Sequence, residues 1–145
     1  MENTKDREMH IDVTLDAPID NVWQAWADPA QIVQWWGPNG FTNTMQTFDL
    51  REGGEWRFTM HGPDGKDYLN KSEFIEVIPQ RVFKFEHSSP HFITTVLFEA
   101  KGNETHIDWT MLFDSKEMRD AIVKAANAEE GLKQNIVKLK TFLAK

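Results

Sequence analysis

Polar and apolar positions change rhythm along the chain. In EMHIDVTLD, residues 8–16, Met9, Ile11, Val13 and Leu15 alternate with His10, Asp12 and Thr14. A period of two is that of a half-buried strand. The rhythm then lengthens: Ile19, Val22, Trp23 and Trp26 stand at i, i+3, i+4 and i+7, one face of a helix. Pro18 suits the first helical position, and Asp28 can cap a second short helix that starts at Pro29. In QIVQWWGPNGF, residues 31–41, Gly37 is expected to close that helix and Pro38 to prevent its continuation. Trp35 and Trp36 then occupy its last turn. Helical neighbours point about 100° apart, so the two indoles are expected in different environments.

After Phe41 the period of two returns. FTNTMQTFDL is followed by the turn REGGE, and WRFTM puts Trp56, Phe58 and Met60 on one face. GPDG at 62–65 is a strong turn signal. YLNKSEFIEVI, RVFKFEH, HFITTVLFEA and ETHIDWTMLFD supply further strands, broken by Pro79, Ser88-Ser89-Pro90 and the hairpin signal Gly102-Asn103. In the last of them Ile107, Trp109, Met111 and Phe113 share a face. Helical spacing resumes with Met118, Ile122, Ala125, Leu132, Ile136, Leu139 and Leu143. Asp114 and Glu117 read as a capping box. A helix over 115–143 would be roughly 43 Å long at the helical rise, with Gly131 the point of interruption.

These rhythms predict an α+β fold: a strand, two short helices, about six further antiparallel strands and a long C-terminal helix. Each strand is apolar on one face only, so one face of the sheet is solvated. The long helix must bury its stripe, and the apolar face of the sheet is the available partner. A twisted sheet curls around such a helix, and the short helix pair closes the open end. With no internal repeat, low-complexity tract or linker, residues 1–145 read as one domain.

Composition narrows the function classes. The chain has 16 Lys plus Arg against 23 Asp plus Glu, a formal net charge of −7. That field argues against nucleic acid and against anionic membrane surfaces. The chain lacks cysteine, which excludes disulfides, thiol catalysis and thiolate metal sites, and fits a cytoplasmic protein. The charged start MENTKDREMH has no apolar core of a secretion signal, and no apolar run approaches the ~20 residues of a membrane span. Six Trp and ten Phe against one Tyr suit an apolar interior or pocket more than a polar recognition surface.

Catalytic chemistry is hard to find. EGGE at 52–55 lacks the Lys and the strand–glycine–helix setting of a phosphate loop. His61, His87 and His91 lack carboxylates at ligand spacing, so no metal or other cofactor is expected. There is no Gly-x-Ser-x-Gly elbow. Glu73 and Glu76 read as solvated strand residues rather than a catalytic pair. His87, in phase with Phe83 and Phe85, reads as a polar group within an apolar face.

Several strings, taken together, resemble one family over nearly the whole chain. APIDNVWQAWADPAQIVQWWGP is similar to the opening motif of the homologues of the activator of heat-shock protein 90 ATPase, within the START-like (SRPBCC, Bet v 1-like) helix-grip superfamily. FDLREGGEWRFTMHGPDG resembles the family's D-x-R-x-GG-x-W-x-F segment and PDG turn. FIEVIPQRVFKFEH resembles its next strand pair, and EGLKQNIVKLKTFLA its closing helix. Leu132 stands where the family usually has Trp, and Ser72 where it usually has Gly. The first enlarges a cavity; the second narrows one or changes the bend of its strand.

The resemblance implies a curved sheet of about six to seven strands wrapped around the C-terminal helix, with a cavity between them for a small hydrophobic or amphipathic molecule. Together with strand and helix phase it gives the expected wall: Trp36, Phe41, Trp56, Phe58, Phe85, Trp109 and Leu132, with His87 as a polar member. Trp36 is expected at the cavity because it shares a helical face with Ile32; Trp35 is expected to buttress the short helices. The leading expectation is non-enzymatic ligand binding. A chaperone regulator, with heat-shock protein 90 as partner, comes second because 145 residues leave room for the helix-grip fold and no separate docking domain. An enzyme of the polyketide cyclase/dehydratase or hydrolase type, which the superfamily also contains, comes last because no catalytic constellation is readable.

Overall fold

A computed structural model describes residues 4–144. After a short turn of 3₁₀ helix, β1 (Glu8–Leu15) leads into α1 (Ile19–Ala27) and α2 (Pro29–Trp35). Six strands follow: β2 (Thr42–Phe48), β3 (Glu55–His61), β4 (Asp67–Ile78), β5 (Val82–His87), β6 (Phe92–Lys101) and β7 (Glu104–Phe113). The chain closes with α3 (Lys116–Ala126) and α4 (Ala128–Leu143). All strands join one antiparallel sheet in the order β1-β7-β6-β5-β4-β3-β2. Consecutive hairpins build β2 to β7, and β1 then pairs along β7 without a register shift, from Glu8↔Leu112 to Leu15↔Thr105.

The alternation read from the sequence buries one face. Trp56 and Phe58 of β3, Phe83 and Phe85 of β5, Val96 and Phe98 of β6, and Ile107, Trp109 and Phe113 of β7 are all buried. Trp26 of α1 lies at the centre of the packing. Its ring meets Trp35, Trp36, Phe83, Phe98 and Trp109 edge-on, with centroids 4.8–5.8 Å apart. Edge-to-face contacts at these separations add to area burial.

The helix boundaries depart from expectation in four places. Pro18 is the N-cap of α1, one position before the helix: its backbone is extended and its carbonyl accepts from Val22 N–H at 3.1 Å. Trp36 is not in the last turn of α2 but caps it with extended backbone, and Gly37 then takes φ +96°. Asp114 does not cap α3; its carboxylate accepts from His91 Nδ1 at 2.7 Å. Ser115 caps instead, its hydroxyl accepting from Met118 N–H at 3.0 Å. The long helix is two helices, and the break falls at Asn127 (φ 49°, ψ 48°) rather than Gly131. Asparagine visits the left-handed region more readily than other side chains that carry a Cβ. Beyond the break α4 buries Leu132, Asn135, Ile136 and Leu139, whereas Ala125 of α3 is exposed.

Gly131 lies inside α4, beside the 36–40 turn, where a Cβ would make ordinary van der Waals contact with Pro38 at 3.6 Å. Side chains of α4 hold the same turn by its backbone. Buried Asn135 donates from Nδ2 to Trp35 O at 2.8 Å, and its Oδ1 accepts from Gly37 N–H at 3.0 Å. Gln134 Oε1 accepts from Asn39 N–H at 3.0 Å. Lys138 Nζ donates to Pro38 O and Phe41 O, both at 3.3 Å. Partial burial pushes the Lys138 ammonium below the ordinary lysine pKa.

Two stability measurements test this architecture. Leu139, fully buried, should cost about 2–5 kcal/mol on truncation to Ala in urea unfolding; a loss below about half a kcal/mol would mean that α4 is not packed as described. Asn135→Ala strands a buried N–H and a buried carbonyl and should cost about 2–4 kcal/mol, whereas Gln134→Ala, which frees the exposed Asn39 N–H to water, should cost below about 1 kcal/mol.

Candidate functional site

A cavity of about 250 Å³ lies between the apolar face of the sheet, the first turns of α4 and the turn that follows α2. Every strand of the sheet except β2 contributes to its wall. β3 gives Trp56, Phe58 and Met60; β4 gives Asn70 and Ser72; β5 gives Phe85 and His87. Phe92 and Thr94 come from β6, Trp109 and Met111 from β7, and Met9 from β1. The helical side consists of Ala128, Gly131, Leu132 and Asn135, and Trp36, Gly37 and Pro38 fill the remaining arc.

The two adjacent tryptophans divide as their different backbones require. Trp35, in the helix, is fully buried and donates its indole N–H to Ala25 O at 3.0 Å. It ties α2 to α1. Trp36, released from the helix, lines the cavity and stacks on Trp109 with centroids 5.5 Å apart and planes 18° apart. Its edge meets Trp56 at 5.0 Å. The shared helical face with Ile32 is not what puts Trp36 there; the extended backbone of the cap and the positive φ of Gly37 do. A Cβ on Gly37 would come within 2.7 Å of Met60 Cε, so a side chain there would press on the cavity wall.

Of the eight side chains expected at the cavity, Trp36, Trp56, Phe58, Phe85, His87, Trp109 and Leu132 line it. Phe41 does not. Gly37 and Gly40, both at positive φ, turn the chain between Trp36 and Phe41, and the Phe41 ring packs against Tyr68 at 5.9 Å. Phe41 is only half-buried there.

The polar groups are the part that sequence reading largely missed. His87 stacks flat on Phe92 at 4.6 Å. Its Nδ1 donates to Pro90 O at 2.8 Å, and its Nε2 lies 2.9 Å from Asn70 Oδ1. The Pro90 carbonyl favours the imidazolium form, but burial outweighs it and pushes the pKa below the ordinary histidine value. Asn70 is itself held by its amide, Nδ2 donating to Tyr68 O at 3.1 Å. Ser72 pairs across the sheet with His87, and Thr94 pairs with Phe85. Both are almost fully buried, and neither hydroxyl has a hydrogen-bond partner among the described residues. The same holds for the indole N–H groups of Trp56 and Trp109. Strand phase alone carried the signal: Asn70 and Ser72 share a face with Phe74, and Thr94 with Val96 and Phe98, so each is a polar interruption in an apolar row.

The other histidines lie apart from the cavity. His61 pairs with Thr44 and Asp67. His91 bridges Glu86 and Asp114, whose hydrogen bonds raise its pKa above the ordinary value. Among the described residues, His10, Asp12 and Asp108 bring three side chains of metal-ligating type together, on the solvent face of β1 and β7. Glu73 and Glu76 are exposed.

Comparison with known proteins places this architecture in a family. Solved structures superpose over nearly the whole chain. A protein from Arthrobacter aurescens aligns with a TM-score of 0.89 at 24% identity, covering 99% of this chain and 90% of its own. Ms6760 from Mycobacterium smegmatis gives 0.85 at 23%, covering 99% and 95%. The AHSA1 protein from Silicibacter pomeroyi gives 0.77 at 19%, covering 94% and 97%. At these identities the likeness is one of fold. No curated protein matches the sequence. The family model described as activator of Hsp90 ATPase homolog 1-like protein matches residues 16–144, and the chain belongs to that family.

Proposed function

We propose that this protein binds a small hydrophobic or amphipathic molecule, without turning it over, in the cavity between sheet and α4. One observation carries the reading: about 250 Å³ of space is walled by Trp36, Trp56, Phe58, Phe85 and Trp109. Cavities of ~150 Å³ with apolar walls hold benzene, so this one has room for a larger apolar body. The driving force is the removal of apolar surface from water, and small-molecule sites are commonly apolar with a few polar groups that fix orientation. The wall has no carboxylate, lysine or cysteine, and its one titratable group, His87, is held neutral by burial. That composition favours binding over acid–base or nucleophilic chemistry. The name of the family supports a second reading, regulation of a chaperone ATPase, which requires an outer surface rather than an inner cavity.

Naphthalene, followed by NMR titration and by the melting temperature of the complex, is a suitable probe. The wild type should bind it and melt higher in its presence, as linkage requires. Trp36→Ala should remain folded by circular dichroism and lose about tenfold in affinity, the equivalent of one aromatic stacking contact. Trp35→Ala should act on stability instead, at about 3–5 kcal/mol. Absence of naphthalene binding by the wild type, together with capture of heat-shock protein 90 in a pull-down, would transfer the assignment to the chaperone reading.

A further inference from the structure

We infer that the ligand is an aromatic compound of one or two rings, without anionic charge, that carries a hydroxyl or carbonyl group, and that the hydroxyl of Ser72 or of Thr94 hydrogen-bonds that group. The inference rests on the cavity-binding reading above and specifies its ligand. Ser72 is 2% exposed and Thr94 1%, both line the cavity, and neither hydroxyl has a partner among the described residues. A buried hydroxyl without a partner is unfavourable. Here two of them lie on β4 and β6, Ser72 opposite His87 and Thr94 opposite Phe85 of β5, at separate points of the wall. The indole N–H groups of Trp56 and Trp109, also unpartnered, belong to the same wall.

The chemistry of these atoms defines the complementary group. An indole N–H can only donate, whereas a hydroxyl can donate or accept. The ligand must therefore offer a lone pair, and a hydroxyl or carbonyl oxygen does so. An anion is excluded by the rest of the wall, which has no ionised side chain to compensate it. An anion would lose its hydration without gaining a counter-charge, which is far costlier than burying a neutral polar group. Size follows from the volume: more than the ~150 Å³ that accommodates one benzene ring, but below the 300–1,000 Å³ of sites for drug-sized molecules.

Three naphthalene derivatives at pH 7.5 separate the alternatives: naphthalene, 2-naphthol and 2-naphthoate, titrated by NMR into wild type, Ser72→Ala, Thr94→Val and Thr94→Ser. The wild type should prefer 2-naphthol to naphthalene about tenfold, which corresponds to one net hydrogen bond, and should bind 2-naphthoate more weakly than either. Ser72→Ala or Thr94→Val should reduce the ratio of 2-naphthol to naphthalene affinity. Thr94→Ser should retain the preference. Without ligand, Thr94→Val should melt about 2–4 °C higher than wild type, because it removes an unpartnered buried hydroxyl without removing volume. Equal binding of naphthalene and 2-naphthol would overturn this inference and leave the cavity reading standing. So would tightest binding of 2-naphthoate, or a preference unchanged in both variants. A lower melting temperature for Thr94→Val would show that the hydroxyl is bonded within the free protein, and would overturn it too. Failure of all three compounds to bind would overturn both readings.

Discussion

The geometry of the site depends on one side chain that is not part of any aromatic contact. Asn135, buried in α4, holds both sides of a single chain reversal, accepting from Gly37 N–H and donating to Trp35 O. A helix end leaves carbonyls without helical partners, and the residues after it need partners for their N–H groups. In the solvent these would be water. Here the end of α2 is covered by α4, so a side chain with one donor and one acceptor face must take that role. Aspartate, acceptor-only when ionised, would leave the carbonyl unmet. Leucine, branched in the same way, would leave both groups unmet. The bonds fix the backbone on either side of Trp36, and with it the direction in which the indole projects.

That constraint separates a dense part of the core from a hollow one. On the side of α1, Trp26 contacts five aromatic rings and is fully buried. Native cores are packed close to crystal density, and such clusters leave few voids. On the side of α4, the wall consists of Ala128, Gly131, Leu132 and Asn135, none of which carries a ring. The turn cannot move inward to fill the gap, because Asn135, Gln134 and Lys138 hold its backbone to the helix. The cavity therefore follows from large rings on one wall, small residues on the other and a spacer that cannot collapse.

Much of this was legible in the sequence. Strict alternation located the strands and their buried faces, helical spacing located α1 and the stripe of α4, and these signals persist because burial of apolar area dominates folding. Choices among nearly equivalent local solutions were not legible. Asp114 and Ser115 are both good caps; Ser115 takes the role, and Asp114 engages a histidine distant in sequence. Gly131 is the stronger helix breaker by propensity, but Asn127 breaks the helix, and Gly131 stays within α4 beside Pro38. Phe41 was placed in the wall because it is aromatic and follows the tryptophan pair; the two intervening glycines carry it elsewhere. Asn135 carried no signal at all, since a lone amide on a helix looks the same whether it faces water or clamps a turn.

The hydroxyls on the cavity wall set stability against function. Alanine at Ser72 and valine at Thr94 would keep the shape of the wall and remove two polar atoms that find no partner among the described residues. Each such atom costs about 1–3 kcal/mol when it goes unsatisfied, a substantial part of the 5–15 kcal/mol that separates folded from unfolded states. Apolar compounds alone would be bound as well by a wall of alanine and valine, so the hydroxyls add nothing to non-specific affinity. On the binding reading proposed above, their benefit is discrimination. A site that leaves its own polar groups unpaired with the wrong molecule rejects that molecule more strongly than any apolar contact can. An aromatic wall with unpartnered hydroxyls is thus less stable than an all-apolar core and more selective, and the two properties have the same atoms as their cause.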